Sequence, residues 1–248
     1  FTVNPRASLA WSAVGHKVIA HIAYDHLSPT AKCAVDTLTQ ENGNPYNARS
    51  RFVFSSTWAD WTRDRGDARF RSWHYIDLPL AADNMEVNMP KPINVVYGIN
   101  QCVITLKNAQ ADREDHQTCL KLLIHNVGDL HQPLHTVNRF SASHPKGDRG
   151  GNKHLIRSLT ADNLHTYWDR GLGRFTLLQK RSKLTGLKIR QYAEDIQDRF
   201  PIHNYLLHEK AIDWARESRA IAESFVYQLP EQTRPSNTYR RHGIKIME

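Results

Sequence analysis

The chain has 248 residues, 40% of them hydrophobic, enough to bury a substantial core in one large domain or two small ones. No apolar run approaches the roughly 18 residues that a membrane-spanning helix needs. Lys and Arg outnumber Asp and Glu 33 to 25, and the net charge of +8 favours anionic partners such as nucleic acid or phosphorylated surfaces.

The opening stretch, FTVNPRASLA, ends in Ser8-Leu9-Ala10, a small-x-small pattern like a signal-peptidase site. Residues 1–10 are therefore expected to be an N-terminal extension or signal-peptide remnant, and the product to be secreted or periplasmic. Residues 11–248 contain no internal repeat, low-complexity tract or long linker and read as a single domain. No Asn-x-Ser/Thr sequon is present. Ser12 is placed to cap a first helix with Val18, Ile19, Ile22 and Ala23 inward, and Ser28-Pro29 is a cap and first-turn signal for a second. RSWHYIDLPL, residues 71–80, is the best extended candidate, ended by Pro79. Asn94 opens VVYGINQCVITLKNAQ, where Val96, Ile99, Val103 and Leu106 recur at helical spacing, and Asp115 opens a helix ending near residue 130. NYLLHEKAIDWARESRAIAESFVYQL reads as one long amphipathic helix. The expected fold is all-α, with few or no short strands.

Fourteen histidines are many for this length, and imidazole is the commonest metal ligand. The three cysteines, Cys33, Cys102 and Cys119, show no CxxC spacing, so any metal site rests on His and Asp. Cys102 and Cys119 fall on consecutive antiparallel helices, which leaves their pairing open. In HNVGDLHQPLH, His125 and Asp129 stand at i and i+4 and project from one helix face, and His135 follows a helix-breaking Pro133. DNLHTYWDRG repeats the spacing with His165 and Asp169. Either pair alone is more often a surface hydrogen bond than a metal arm, but two in one chain point to metal. STWADWTR sets Asp60 among tryptophans and SWHYID sets His74 among aromatics. Burying such groups costs free energy unless a partner such as a divalent cation is supplied.

WSAVGH, STWADWTR, WHYID, HNVGDLHQPLH, GGN and DNLHTYWD, in that order, resemble the zinc-dependent single-strand nucleases of fungi, plants and bacteria, the S-one/P-one nuclease family. The resemblance covers most of residues 11–170. It implies the all-α fold shared with zinc phospholipases C and three zinc ions per chain. One zinc would be held by Asp60, His74, His125 and Asp129. A second would be held by His16, the shared Asp129 and the free amino group and carbonyl of Trp11. The third would be held by His135, His165 and Asp169. Residues 1–10 precede Trp11, so a free amine there requires their removal. The resemblance further implies in-line attack of metal-activated water on phosphorus, with Asp129 bridging two cations and Arg63 steadying the phosphate oxygens. Tyr75 would stack on a base, Asp77 would accept from its edge, and Asn152, in the Gly150-Gly151-Asn152 loop, would approach the scissile phosphate. His131, His144 and His154 have no ligand role in the family.

The function implied is hydrolysis of RNA and single-stranded DNA to 5′-phosphate products, with 3′-nucleotidase activity and no stable protein partner. A zinc-dependent phospholipase C uses the same cluster on lipid phosphodiesters, and Tyr75, Asp77 and Arg63 favour the nuclease over it. A non-catalytic zinc- or nucleic-acid-binding protein fits poorly, because structural zinc is normally closed by four protein ligands and these sites offer open positions.

Overall fold

The computed structural model describes residues 11–40, 44–81, 85–177, 185–201 and 210–248. The N-terminal extension expected over residues 1–10 lies outside them. Among the described residues there are ten α-helices and a single two-stranded sheet, so the all-α expectation is met.

Helix α1 (Ala13–His26) buries Val18, Ala20 and Tyr24. Ala23, expected inward, is exposed, and the buried stripe instead runs through Ala20 and Tyr24. Ser12 occupies the N-cap position without a side-chain cap bond, and its backbone N–H donates to Asp169 O at 2.8 Å. Helix α2 (Pro29–Leu38) begins as expected, with Ser28 Oγ accepting from Ala31 N. Two short helices follow, α3 (Ala48–Ser55) and α4 (Trp58–Arg63).

The expected strand over 71–80 forms only in part. Residues Arg71–His74 make a 3-10 turn, and the strand β1 covers Leu78–Ala81, with Pro79 inside it. A proline is tolerated there because the sheet has only edges, so its missing N–H need not face a second neighbour. β1 pairs in parallel with β2 (Val137–Phe140), Leu78 opposite Val137. Each strand leaves a 3-10 turn, Arg71–His74 before β1 and Pro133–His135 before β2, so parallel pairing sets the turns side by side. Ile76 N donates to His135 O at 2.8 Å just ahead of the sheet.

Asn94 caps α5 (Val95–Lys107), its Oδ1 accepting from Val96 N and Tyr97 N. Helix α6 (Arg113–Leu130) starts earlier than expected. Asp112 is the cap, accepting from the N–H of Asp115, which sits in the first turn. α5 and α6 pack together, and Cys102 and Cys119 meet there as free thiols beside Ala59 and Leu122. Helix α7 (Leu164–Asp169) is capped by Asn163, and α8 (Thr185–Arg199) lies on α1. The long helix expected from residue 204 is described only as α9 (Ala211–Ser224). Phe225 leaves helical geometry at φ −133°, and a 3-10 turn, Val226–Gln228, replaces the last helical turn. The remainder of that expectation lies outside the described residues. Helix α10 (Asn237–Met247) closes the chain behind the Ser236 cap. The largest apolar cluster joins Trp11, Val14 and Val18 to Leu134, Leu164 and Trp168, so α1, α7 and the turn before β2 share one core.

Candidate metal centre

The i, i+4 pair on α6 faces inward. His125 and Asp129 are both fully buried, with His125 Nε2 3.1 Å from Asp129 Oδ2. The His125 Nδ1–H donates to Ser56 O at 2.7 Å, which leaves Nε2 directed at the carboxylates. His74 Nδ1 lies 3.0 Å from Asp129 Oδ2 and 3.0 Å from His125 Nε2, and Asp60 Oδ1 completes the group 3.7 Å from His125 Nε2. From α1, His16 stacks on the His125 ring at 4.0 Å, with its Nε2 3.2 Å from Asp129 Oδ1 but not aligned for a hydrogen bond. Gly128 permits this approach, since a Cβ there would stand 3.2 Å from His16 Nδ1.

A second cluster is built by the turn before β2 and by α7. The His135 Nδ1–H donates to His74 O at 2.8 Å and the His165 Nδ1–H to Gly150 O at 2.5 Å. A carbonyl oxygen can only accept, so in the neutral rings neither Nε2 carries a proton, yet the two Nε2 atoms face each other at 3.1 Å. Two opposed lone pairs in a buried site repel unless a cation lies between or beside them. Asp169 Oδ2 is 3.5 Å from His165 Nε2. Gln132, to which the sequence reading gave no role, is fully buried, donates from Nε2 to Asp169 Oδ1 at 2.6 Å and accepts from Leu134 N. Its only signal in the sequence is its place between the histidines of HNVGDLHQPLH.

Electrostatics point the same way. Burial presses His165 down to about 3, reinforced by His135, and burial likewise lowers His16 and His135. For His125 burial is outweighed by the charges of Asp129 and Asp60, which lift it to about 9. Burial would raise Asp129, but His125 and hydrogen bonds from the surrounding imidazoles hold it well below the usual carboxylate range. Asp60 Oδ1 and Asp129 Oδ1 remain buried without a hydrogen-bond partner. Inward imidazole nitrogens, those of His135 and His165 neutral and opposed, beside Asp60 and Asp129 oxygens that make no aligned hydrogen bond, form a donor set fitted to divalent metal, which would displace the proton that the carboxylates hold on His125. Three groups could hold an ion: His16–His125–Asp129, Asp60–His74–His125 and His135–His165–Asp169, each with ligand atoms within 4.8 Å of one another. All eight His and Asp side chains expected as ligands are brought together in them, and Asp129 also touches His74.

The family model described as S1/P1 nuclease matches residues 11–248. The chain belongs to the S1/P1 nuclease family. It is 28% identical over 173 residues to Nuclease P1 of Penicillium citrinum, covering 64% of this chain and 57% of that protein. Endonuclease 3 of Arabidopsis thaliana is 30% identical over 171 residues, 65% of this chain and 54% of the relative. Endonuclease 1 of the same plant is 28% identical over 226 residues, 86% of this chain and 68% of the relative. Nuclease P1 and Endonuclease 3 are thus matched over little more than half their length.

The other residues expected at the site of this S1/P1 family chain lie around its edge. Arg63 is largely buried, with Nη2 2.8 Å from Asp60 Oδ1, and its Nε and Nη2 have no hydrogen-bond partner. Tyr75 is exposed and Asp77 half-buried on either side of the buried Ile76. Burial pushes the Asp77 carboxyl up, against the opposing charges of Lys91 and Arg149. Asn152 donates from Nδ2 to Arg149 O at 2.8 Å, inside the loop whose Gly150 carbonyl holds His165. The ring of Trp11 is buried in the large cluster, two residues before α1. His131, His144 and His154 stand apart from the three groups, held by Val127 O, Glu231 and Leu229 O.

Proposed function

We propose that the chain is a trinuclear zinc phosphodiesterase that hydrolyses RNA and single-stranded DNA to 5′-phosphate products and removes the phosphate of 3′-nucleotides. The observation that carries this reading is the convergence of five buried imidazoles on three carboxylates, with His125, His135 and His165 held through Nδ1–H on backbone carbonyls and Asp60 Oδ1 and Asp129 Oδ1 making no aligned hydrogen bond. His and Asp donors with open positions suit zinc, and a structural role would call for closed sites. Asp60, His74, His125 and Asp129 hold one ion, and His16, Asp129 and the main chain of Trp11 a second. His135, His165 and Asp169 hold the third. Bound zinc supplies Lewis acidity toward a phosphate oxygen and lowers the pKa of a water that attacks phosphorus.

The remaining steps belong to the side chains. Asp129 spans two groups and keeps them close. Arg63, ion-paired with Asp60 but with Nε and Nη2 making no aligned hydrogen bond, would turn these N–H groups to the equatorial phosphate oxygens, where a planar guanidinium can donate two parallel hydrogen bonds. Tyr75 offers its exposed ring to an unpaired base, Asp77 accepts from the base edge, and Asn152 donates near the scissile phosphate. A base inside a duplex cannot offer its faces, so the preference is for single strands. Removal of residues 1–10 and export belong to the same proposal, resting on Ser8-Leu9-Ala10. The test is metal analysis of protein beginning at Trp11, coupled to parallel assays with a single-stranded oligonucleotide, a 3′-nucleotide and phosphatidylcholine. Three zinc ions and 5′-phosphate products are expected. Release of phosphocholine without nucleotide products would overturn the substrate assignment.

A further inference from the structure

The segment that delivers Asp60 has a second side. α3 and α4 are joined through residues 56–57 by continuing turn hydrogen bonds, Thr57 N to Phe54 O and Trp61 N to Thr57 O. Phe52, Val53, Ser56, Ala59 and Asp60 are buried, and Ser56 O receives the His125 Nδ1–H. Phe54, Trp58, Trp61 and Arg65 recur at spacings of four, three and four, which places them along one stripe of this helical segment. Phe54 and Trp61 are 44% and 53% exposed, while Trp58 is half-buried against the Ala59–Cys102–Leu122 cluster.

Simple surface packing does not account for what accompanies these rings. Each carries a cation: Lys17 Nζ stands 5.0 Å from the Phe54 centroid, Lys121 Nζ 5.5 Å from Trp58, and the Arg65 guanidinium 3.9 Å from Trp61. Tyr46, 52% exposed, extends the row by packing on Phe54 at 4.8 Å. Lys17 follows His16 directly, and Trp61 lies between Asp60 and Arg63, so both ends of the row border the metal centre in sequence. A bare apolar stripe would suit a lipid or a second copy of the chain. Rings alternating with cations suit a polyanion that exposes aromatic faces, which is the chemistry of an unpaired nucleic-acid strand. Seven residues from Phe54 to Trp61 span about 10 Å of helix, or about three nucleotide steps at the rise of a stacked strand.

We propose that Phe54, Trp58 and Trp61, each with its cation, form a stacking track for bases of a single strand beyond the nucleotides held at the scissile phosphate. The proposal rests on the nuclease reading of the metal centre. It makes substrate length the readout, which a merely structural role would not move. Trp61→Ala and Phe54→Ala are each expected to raise KM for dodecathymidylate about tenfold, the effect of losing one base–ring stack. KM and kcat for dithymidylate stay at the wild-type values, and Trp61→Phe, which keeps a ring, restores most of the affinity for the long strand. Fluorescence anisotropy of labelled dodecathymidylate with EDTA-treated protein is expected to show the same loss of affinity. The track is overturned if long and short substrates respond alike or neither responds, or if Trp61→Ala instead dissolves a self-associated wild-type chain. If wild-type protein cleaves neither substrate, the nuclease reading falls, and the anisotropy measurement still decides whether the rings bind the strand.

Discussion

Asparagine in place of Asp129 keeps the shape of the side chain and removes its charge, so it isolates what the carboxylate does. Asp129 is fully buried, with oxygens 3.2 Å from His16 Nε2, 3.0 Å from His74 Nδ1 and 3.1 Å from His125 Nε2. The rise of His125 from the ordinary 6.5 to about 9, driven by Asp129 and Asp60 against burial, corresponds to about 3 kcal/mol at 1.36 kcal/mol per pH unit. Removing one partner of a buried pair typically costs about 3–5 kcal/mol, the same range. Carried into metal affinity, that range is about 10²–10⁴-fold for each site that uses the carboxylate. The His135–His165–Asp169 group does not use it, since the nearest approach there is His135 Nδ1 at 4.0 Å. On the proposed trinuclear centre, metal content measured by mass spectrometry after desalting should therefore fall from three ions per chain toward one in Asp129→Asn. Turnover of a single-stranded oligonucleotide should fall at least about 10²-fold with it, while far-ultraviolet circular dichroism stays that of a folded helical protein. A variant that kept its full metal complement and wild-type turnover would refute the shared-carboxylate reasoning.

Arg63→Ala should lower kcat about 10²- to 10³-fold with metal content unchanged, because the guanidinium lies on Asp60 with donors to spare and is not itself a ligand; loss of metal instead would make it a purely structural partner of Asp60. Chelator-stripped protein should be most stable near pH 6.5 and lose stability on either side. His125, raised to about 9, contributes stability that is complete below 6.5 and lost as pH rises through 9. His16, His135 and His165, all lowered by burial, contribute stability present above 6.5 and lost as pH falls below it. Thermal melts in EDTA across this range check both limbs, and a curve rising steadily through pH 9 would contradict the first. Gly150→Ala should reduce metal content at the third group alone. Gly150 sits at φ +59° with a Cβ position running into the Leu134 carbonyl oxygen, so the loop must shift and release the His165 Nδ1–H. Wild-type metal stoichiometry in that variant would separate the loop from the site.

Side-chain identity at helical spacing made most of this centre legible in the sequence. His125 with Asp129 and His165 with Asp169 announce themselves as i, i+4 pairs, because a helix puts such positions on one face whatever surrounds it. His74 and His135 do not, since both stand on 3-10 turns whose adjacency depends on the parallel pairing of β1 with β2, a non-local event with no period in the sequence. Pro79 signals a strand end that the fold does not make, for a related reason. Its ban from strands applies to interior positions, and this sheet has none. The carbonyls of Ser56, His74 and Gly150 leave no trace in sequence at all, although they orient His125, His135 and His165. That asymmetry explains how the centre is held. The ligands are side chains, but their direction is set by main-chain oxygens from three different segments, and a main-chain acceptor cannot be mutated away without moving backbone. Conservative changes at Ser56 should therefore be tolerated where changes that displace its carbonyl are not. The same segment that fixes His125 through Ser56 O turns Phe54 and Trp61 outward, so on the proposed stacking track the residues that aim an imidazole at the candidate metal centre would also set where a strand meets the surface.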